Sequence, residues 1–443
     1  MSHALLIVDP TLKSYEGHSY QYDTSVGIAA RKYFDLVEIY PDRRFPADIA
    51  LPMSRGVINS RIPVDVLKKV ANKLFSFGGR SSDATRDVAI HASIVPGVWK
   101  WIIRLGYRVL AADFRLSLAD IIRRFLSRNE VCDVHVFIQH ARRLELLAVE
   151  QLLKKSILQG FAARVCFHLV LRTGPGSLLA GETKAELADR LVSMSRSNGP
   201  YCFFYSDSEE LSREYQSMGA GHVSAIPVPI HVDESLLASG ACPQRSIGFF
   251  GPPRVDKGFC EIPGIIEQLD KSIDAAGMDV CVQIADTSVD PRIQKTMASL
   301  VRLRESSTNL RITLLPGPLE PGEYYRRLSC CGIAVFPYVP SKYTVSTSGV
   351  FIEALWLGIP VICPSVSWMS NVLDRLETAH GLVPGATFSS VTEIPFLIQR
   401  MFGQHSQLKK AAAQAASVMK VEHDPALIAK ALYDNSLSCR CSA

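Results

Sequence analysis

The sequence is poor in the features that would place a chain at once. No apolar run approaches the length of about 20 residues that a bilayer-spanning helix needs. The 11 cysteines contain no C-x-x-C pair, so neither a zinc ribbon nor a thioredoxin-type redox motif is written in them. No group of His, Cys, Asp and Glu has metal-ligand spacing, and no metal or cofactor is expected. No G-x-G-x-x-G follows the first apolar segment, which removes the fingerprint of a dinucleotide-dependent oxidoreductase. Internal repeats and low-complexity tracts are missing. Charge of one sign is not in excess either: 48 Lys and Arg against 43 Asp and Glu leave +5, too little to point to nucleic acid. The opening MSHALLIVDP has no basic start, and Asp9 interrupts its apolar run. It therefore reads as a first strand and not as a secretory signal, and a cytoplasmic protein with reduced thiols is expected.

What is present suits an ordinary folded protein: 443 residues, 47% hydrophobic and 21% charged. That length favours two domains. Apolar strand segments alternate with amphipathic helical ones from end to end, the pattern of an α/β protein with parallel sheets. In the first series the strands are Ala4–Val8, Leu36–Tyr40, Arg108–Ala112 (ending at Asp113), Val134–Ile138, Arg164–Leu171, Tyr201–Tyr205 and His222–Ile230. Helices are expected at Thr24–Tyr33, Val64–Phe77, Leu118–Ser127, Arg142–Lys155 and Glu182–Ser197. His231–Gln244 breaks the rhythm and reads as a linker. A second series follows, with strands at Ser246–Phe250, Val280–Ala285, Leu310–Leu315, Gly332–Phe336 and Ile359–Cys363. Two doubly wound halves of this kind place ligands at the C-terminal ends of their strands, in a cleft between the halves.

Two stretches of the second half carry chemistry. Ser346-Thr347-Ser348-Gly349 is a hydroxyl-rich turn opening a short helix that closes at Gly358. The free N–H groups of a helix N-terminus suit a phosphate, Gly349 permits close approach to the backbone, and Glu353 lies about one turn further in. Gly251–Gly258 (GPPRVDKG) is a strand-to-helix turn with two cations, Arg254 as a fork and Lys257 as a point charge, which together suit a diphosphate. Each stretch alone is also what a capped helix or a solvated basic turn looks like. In the first half, His140 ends a strand, His18 lies in the early Glu16-Gly17-His18-Ser19 loop, and His168 sits inside an apolar strand. Asp113 and Glu145 are further carboxylates. Lys68, Lys69 and Lys73, Arg123, Arg124 and Arg128, and Arg142, Arg143, Lys154 and Lys155 make basic helix faces. Such faces are compatible with peripheral contact to an anionic membrane, though most are simply solvated.

Taken together, FFGPPRVDKGF, LPGPLEPGEYYRRL, GIAVFPYVP and STSGVFIEALWLGIPVI, in that order and spacing, resemble the nucleotide-sugar domain of GT-B glycosyltransferases. More narrowly they resemble the retaining enzymes of family 4. YCFFYSDSEELSREY followed by AIPVPI is similar to the last strand and helix before that family's hinge, and the Gly17 loop to its glycine loop. The resemblance covers most of Asp207–Pro364 and the first two hundred residues in outline. It implies two Rossmann-like domains facing across a cleft: residues 1–230 on the acceptor side, a linker at 231–244, and 245–420 for the nucleotide sugar. Residues 421–443 form a C-terminal helix able to pack back on the first domain.

The resemblance also implies roles. Arg254 and Lys257 would stabilise the leaving nucleoside diphosphate without a metal. Ser346, Thr347, Ser348 and Gly349 would meet the phosphates or the donor sugar, Glu353 the ribose, and Pro337 and Tyr338 the base. Gly17 and His18 would approach the diphosphate, and His140 the donor sugar or acceptor. One departure is plain: the family usually has two glutamates separated by seven residues, and Val345 stands where the first would fall. The expected activity is sugar transfer from a nucleoside-diphosphate donor to a hydroxyl acceptor, with retention. An epimerase on the same fold, and a non-catalytic nucleotide-sugar binder, remain as alternatives.

Overall fold

The computed structural model describes residues 2–12, 18–42, 44–46, 54–55, 96–127, 131–154, 165–179, 182–196, 201–237, 243, 245–284, 290–317 and 319–440. Those residues fall into two compact units. The first takes Met1–Tyr15, Val26–Ile226 and Ile428–Ala443, and the second Glu16–Ser25 and Pro227–Leu427.

In the first unit the strands are β1 (Ser2–Asp9), β2 (Leu36–Pro41), β3 (Ser54–Arg55), β4 (Val131–Ile138), β5 (Val165–Leu171), β6 (Tyr201–Ser206) and β7 (Val223–Ala225). They form a seven-stranded sheet in the order β3-β2-β1-β4-β5-β6-β7, and neighbours run parallel. Every residue of β5 is buried, which is what continuous apolar runs such as VCFHLVL require of a strand covered on both faces. The helices are the end of α1 (His18–Ala30, of which the part up to Ser25 belongs to the second unit), α2 (Pro96–Leu126), α3 (Arg143–Lys154), α4 (Lys184–Ser195) and α5 (Glu209–Ser217). The order reverses between β1 and β4, which makes the C-terminal ends of those two strands the switch point where doubly wound sheets bind ligands.

The second unit repeats the plan. Its strands are β8 (Ser246–Phe249), β9 (Met278–Gln283), β10 (Leu310–Leu315), β11 (Ile333–Val335), β12 (Val361–Pro364) and β13 (Gly385–Phe388). The sheet order is β10-β9-β8-β11-β12-β13, again with parallel neighbours. The helices are α6 (Ile262–Asp270), α7 (Pro291–Ser306), α8 (Pro321–Ser329), α9 (Gly349–Trp356), α10 (Trp368–His380), α11 (Ile394–Gly403) and α12 (His405–Glu422). A last helix, α13 (Pro425–Arg440), passes from the second unit into the first. There Tyr433 packs edge-on to His3 at 5.5 Å and to Phe34 at 5.7 Å. The switch point of this sheet lies between β8 and β11.

Several expected elements differ. Arg108–Ala112 is not a strand: it is the middle of α2, which runs unbroken into the helix expected at Leu118. Its buried positions, Leu110, Ala111, Phe114, Leu118, Ala119, Ile121, Ile122 and Phe125, follow the helical period of 3.6, and a five-residue apolar run is too short to show it. Asp113 therefore sits on a helix, not at a strand end. His222–Ile230 shrinks to β7 because Pro227 and Pro229 cannot donate to a ladder. β13 and α11 have no counterpart among the expected elements. The expected helix Val64–Phe77, with Lys68, Lys69 and Lys73, lies outside the described residues, as do Arg128 and Lys155. Cys330 is disulfide-bonded, a departure from reduced thiols throughout, while Cys166, Cys202, Cys260, Cys281, Cys331 and Cys363 are free. Among the described residues no helix is long and apolar enough to cross a membrane, and no group of His, Cys, Asp and Glu is placed to hold a metal ion.

Candidate functional site

The switch point of the second unit is built by two loops that touch. After β8 the chain turns through Gly251, whose φ of +108° suits glycine alone and whose N–H donates to the Gln283 side chain at 2.8 Å. A short 3-10 turn, Val255–Lys257, closes on Gly258 in the left-handed conformation. A Cβ on Gly258 would stand 1.7 Å from the Pro337 carbonyl oxygen, so only glycine lets the basic turn lie against the end of β11. The Val339 N–H donates to the Asp256 carbonyl at 3.0 Å and fastens the same two loops. Between them is a small open recess lined by Phe250, Gly251, Lys257, Gln283, Pro337 and Tyr338, among others.

Charge in this recess comes from Lys257, whose ammonium lies 5.4 Å from the Tyr338 ring centroid. Arg254 is differently placed. Its guanidinium is forked on Asp256, with Nε donating to Oδ1 at 2.9 Å, and Asp256 also accepts from the Tyr343 hydroxyl at 3.1 Å. Partial burial would raise the Asp256 carboxyl, but the Arg254 hydrogen bond and charge outweigh it and hold the group below its ordinary value. Arg254 is more than half exposed, so an incoming anion would compete with Asp256 for it.

The hydroxyl-rich loop leads into α9 as expected. Ser348 is the N-cap and accepts from the Phe351 N–H at 3.4 Å, and the Tyr338 hydroxyl lies 3.3 Å from the Ser348 hydroxyl. Ser346, Thr347 and Gly349 are half-buried on the approach. Val350, in the first turn of α9, is the other side chain closest to Gly251. Glu353 differs from expectation in being fully buried, with both carboxylate oxygens engaged: Tyr324 donates at 2.5 Å and Tyr325 at 3.2 Å. Burial and the facing carboxylate push both tyrosine hydroxyls far up, so both remain donors. Val345, like Ser346 and Thr347, is half-buried.

At the switch point of the first unit a polar chain crosses four strand ends. Asp9, closing β1, accepts from the Gln139 amide at 2.7 Å. Gln139 accepts from Arg172 at 3.2 Å, and Arg172 donates to Asp207 at 3.1 Å. Beside this chain lies His140. Burial, then the Arg172 and Arg142 charges, lower its imidazole to about 4 against an opposing pull from Asp9. It is thus neutral at pH 7, and its buried Nε2 makes no hydrogen bond to the described residues.

The structure brings Lys257, Pro337, Tyr338, Ser348, Gly349 and Glu353 into one neighbourhood and sets Arg254 at its edge. Gly17 lies outside the described residues; His18 opens α1, and its side chain lies outside them too. Glu145 is a helix cap, accepting from the Arg142 N–H at 2.9 Å. His168 is a core histidine, 3.2 Å from His135 and 2.9 Å from the Tyr205 hydroxyl. Arg143 is buried and paired with Glu182, so it is not part of a basic surface. Sequence reasoning missed Gln139, Arg172 and Asp207, yet each is the first residue after an apolar strand, the position that faces a ligand in such sheets. Tyr324 and Tyr325 left no signal of that kind.

No protein-family model matches the sequence, and no curated protein matches it. Solved structures do match over nearly the whole chain. The chain has the GT-B fold. It is similar to a trehalose-6-phosphate synthase, OtsA, at 12% identity and a TM-score of 0.64, covering 98% of each chain. A similar match is α,α-trehalose-6-phosphate synthase of Burkholderia multivorans, at 10% identity and 0.62, covering 100% of this chain and 98% of that one. HepE of Anabaena in complex with UDP-glucose matches at 12% identity and 0.59, covering 98% and 99%.

Proposed function

We propose that the protein is a glycosyltransferase that moves a sugar from a nucleoside-diphosphate donor to a hydroxyl acceptor. The observation that carries this reading is the second switch point on a GT-B frame, where Lys257 lines a recess and the first turn of α9 lies against two other residues lining it, Gly251 and Tyr338. A similar structure holds UDP-glucose, which is the class of donor proposed here.

In this reading the donor diphosphate lies between Lys257 and the first turn of α9, whose free N–H groups and partial positive charge suit it. As the sugar–oxygen bond breaks, negative charge grows on the leaving diphosphate. Lys257, and Arg254 once released from Asp256, stabilise it electrostatically. Pro337 and Tyr338 flank the base, Ser346, Thr347 and Gly349 face the phosphates or donor sugar, and Glu353 binds the ribose. His140, being neutral, serves as a hydrogen-bond partner for a sugar hydroxyl and not as a cation. Retention of configuration is part of the proposal. So is an acceptor at an anionic membrane surface, with which the exposed Val109, Leu116, Arg123 and Arg124 on α2 are compatible.

The test is turnover. Purified protein is incubated with UDP-, GDP-, ADP- and dTDP-sugars, with and without simple hydroxyl acceptors, and released nucleoside diphosphate is measured. One donor should be consumed by the wild type and not by Lys257→Ala. Binding of a nucleotide sugar without any release would move the protein to the non-catalytic reading.

A further inference from the structure

Glu353 is the one carboxylate in the neighbourhood of the second switch point that the proposed function assigns to a neutral ligand group, and it is not open. Its two partners differ. Tyr325 is 2% exposed and is itself tied to Gln21, so it is part of the packed wall. Tyr324 is half-buried and packs edge-on at 5.9 Å against Phe250, which lines the recess. Through Phe250, Tyr324 links Glu353 to the wall of the recess. The Tyr324 hydroxyl lies 2.5 Å from Oε2, the geometry that an alcohol of a ribose would take on an ionised carboxylate.

We propose that the Tyr324 hydroxyl holds the place of a donor ribose hydroxyl on Glu353, so that Tyr324 gates this carboxylate while Tyr325 positions it. This rests on the assignment of Glu353 to the ribose. The chemistry is an exchange of one O–H···carboxylate hydrogen bond for another. The empty protein satisfies the buried Glu353 carboxyl with Tyr324, as a buried polar group requires. The bound protein satisfies it with the ribose, and the Tyr324 ring turns outward. Tyr325 keeps its bond to Oε1 in both states and fixes the carboxylate plane. The device lowers affinity for every ribonucleotide by the cost of breaking the Tyr324 bond, and it rejects ligands that bring no hydroxyl to replace it.

The two tyrosines then have opposite signatures. Removing the Tyr324 hydroxyl leaves Oε2 without this partner in the empty state only, so binding tightens. Removing the Tyr325 hydroxyl loosens the carboxylate in both states, so binding weakens. The experiment is calorimetric titration of wild type, Tyr324→Phe, Tyr324→Leu and Tyr325→Phe with UDP, GDP and ADP, each beside its 2′-deoxy analogue, with thermal melting to check folding. For the diphosphate that wild type binds, both Tyr324 variants should bind about tenfold more tightly, with a smaller gain for the deoxy analogue. Tyr325→Phe should bind more weakly. Unchanged or weaker binding by the folded Tyr324 variants, with wild type binding normally, overturns the gate and leaves the proposed function standing. Failure of wild type and variants alike to bind any diphosphate overturns both.

Discussion

The two switch points are the same topological feature made from opposite chemistry. At the end of β8 and β11 Arg254 is paired with Asp256, and Lys257 and a helix N-terminus leave an excess of positive charge beside a recess. At the end of β1 and β4 two carboxylates, Asp9 and Asp207, are linked through Gln139 and Arg172, each bonded to the next, beside a neutral His140. A site with unbalanced positive charge favours a polyanion. One with two carboxylates against a single arginine has no excess of positive charge and offers hydrogen bonds, which suits neutral hydroxyls. On this contrast we propose the diphosphate at the second unit and a hydroxyl-bearing partner at the first, and the division can be tested on each side.

The most damaging change should be Gly258→Ala. It combines a left-handed φ of +66° with a Cβ 1.7 Å from a carbonyl oxygen, so the basic turn must leave the end of β11. A loss of more than about 3 kcal/mol in urea melts, with loss of nucleotide binding, is expected. Gly381→Ala is the control: the same φ of +66° but nothing within 4 Å, hence about 1 kcal/mol and no effect on binding. Lys257→Ala should lower turnover about 100-fold or more without changing the melting temperature appreciably. A loss under tenfold would mean that α9 carries the diphosphate alone.

Acid should strike the first unit harder. Burial lowers His140 to about 4 and, with a further contribution from His3, His135 to about 3; burial and the neighbouring His135 hold His168 well below its ordinary 6.5. All three lie in the first unit, while His423, lowered to about 4 chiefly by burial, lies in the second. Their folded values lie below the unfolded one, so as pH falls the unfolded chain takes up protons first. Stability is full above about pH 6.5 and declines toward pH 4. At pH 5 each such histidine costs about 2 kcal/mol, one pKa unit being about 1.4 kcal/mol. Hydrogen exchange at pH 7.5 and pH 5, corrected for intrinsic rates, should show protection lost in β4 and β5 before β11 and β12. The smallest effect is expected from His140→Gln: about a tenfold fall in kcat/KM for the acceptor, with nucleotide affinity unchanged. A change in nucleotide affinity would break the division between the two edges.

The sequence makes the alternation, the two halves and the loops of the second unit legible, because apolar strands and glycine-bounded turns are local signals. Strand β10, for example, runs from Leu310 to Leu315 as read. The α2 region was misread because Arg108–Ala112 shows its helical period only when the following residues are counted with it. The residues of the site were readable where the motif is contiguous, as at Ser346–Glu353. They were not readable where the contact is made by folding. Nothing local says that Arg254 closes on Asp256 or that Tyr324 and Tyr325 cover Glu353.

The most direct test of the central claim is an equilibrium titration of UDP, GDP, ADP and dTDP into wild type and Lys257→Ala, followed by isothermal calorimetry at fixed low salt. The account predicts that at least one diphosphate binds the wild type and that the variant loses at least tenfold of that affinity. Wild-type and variant affinities that are equal, or a wild type that binds none of the four, would contradict it.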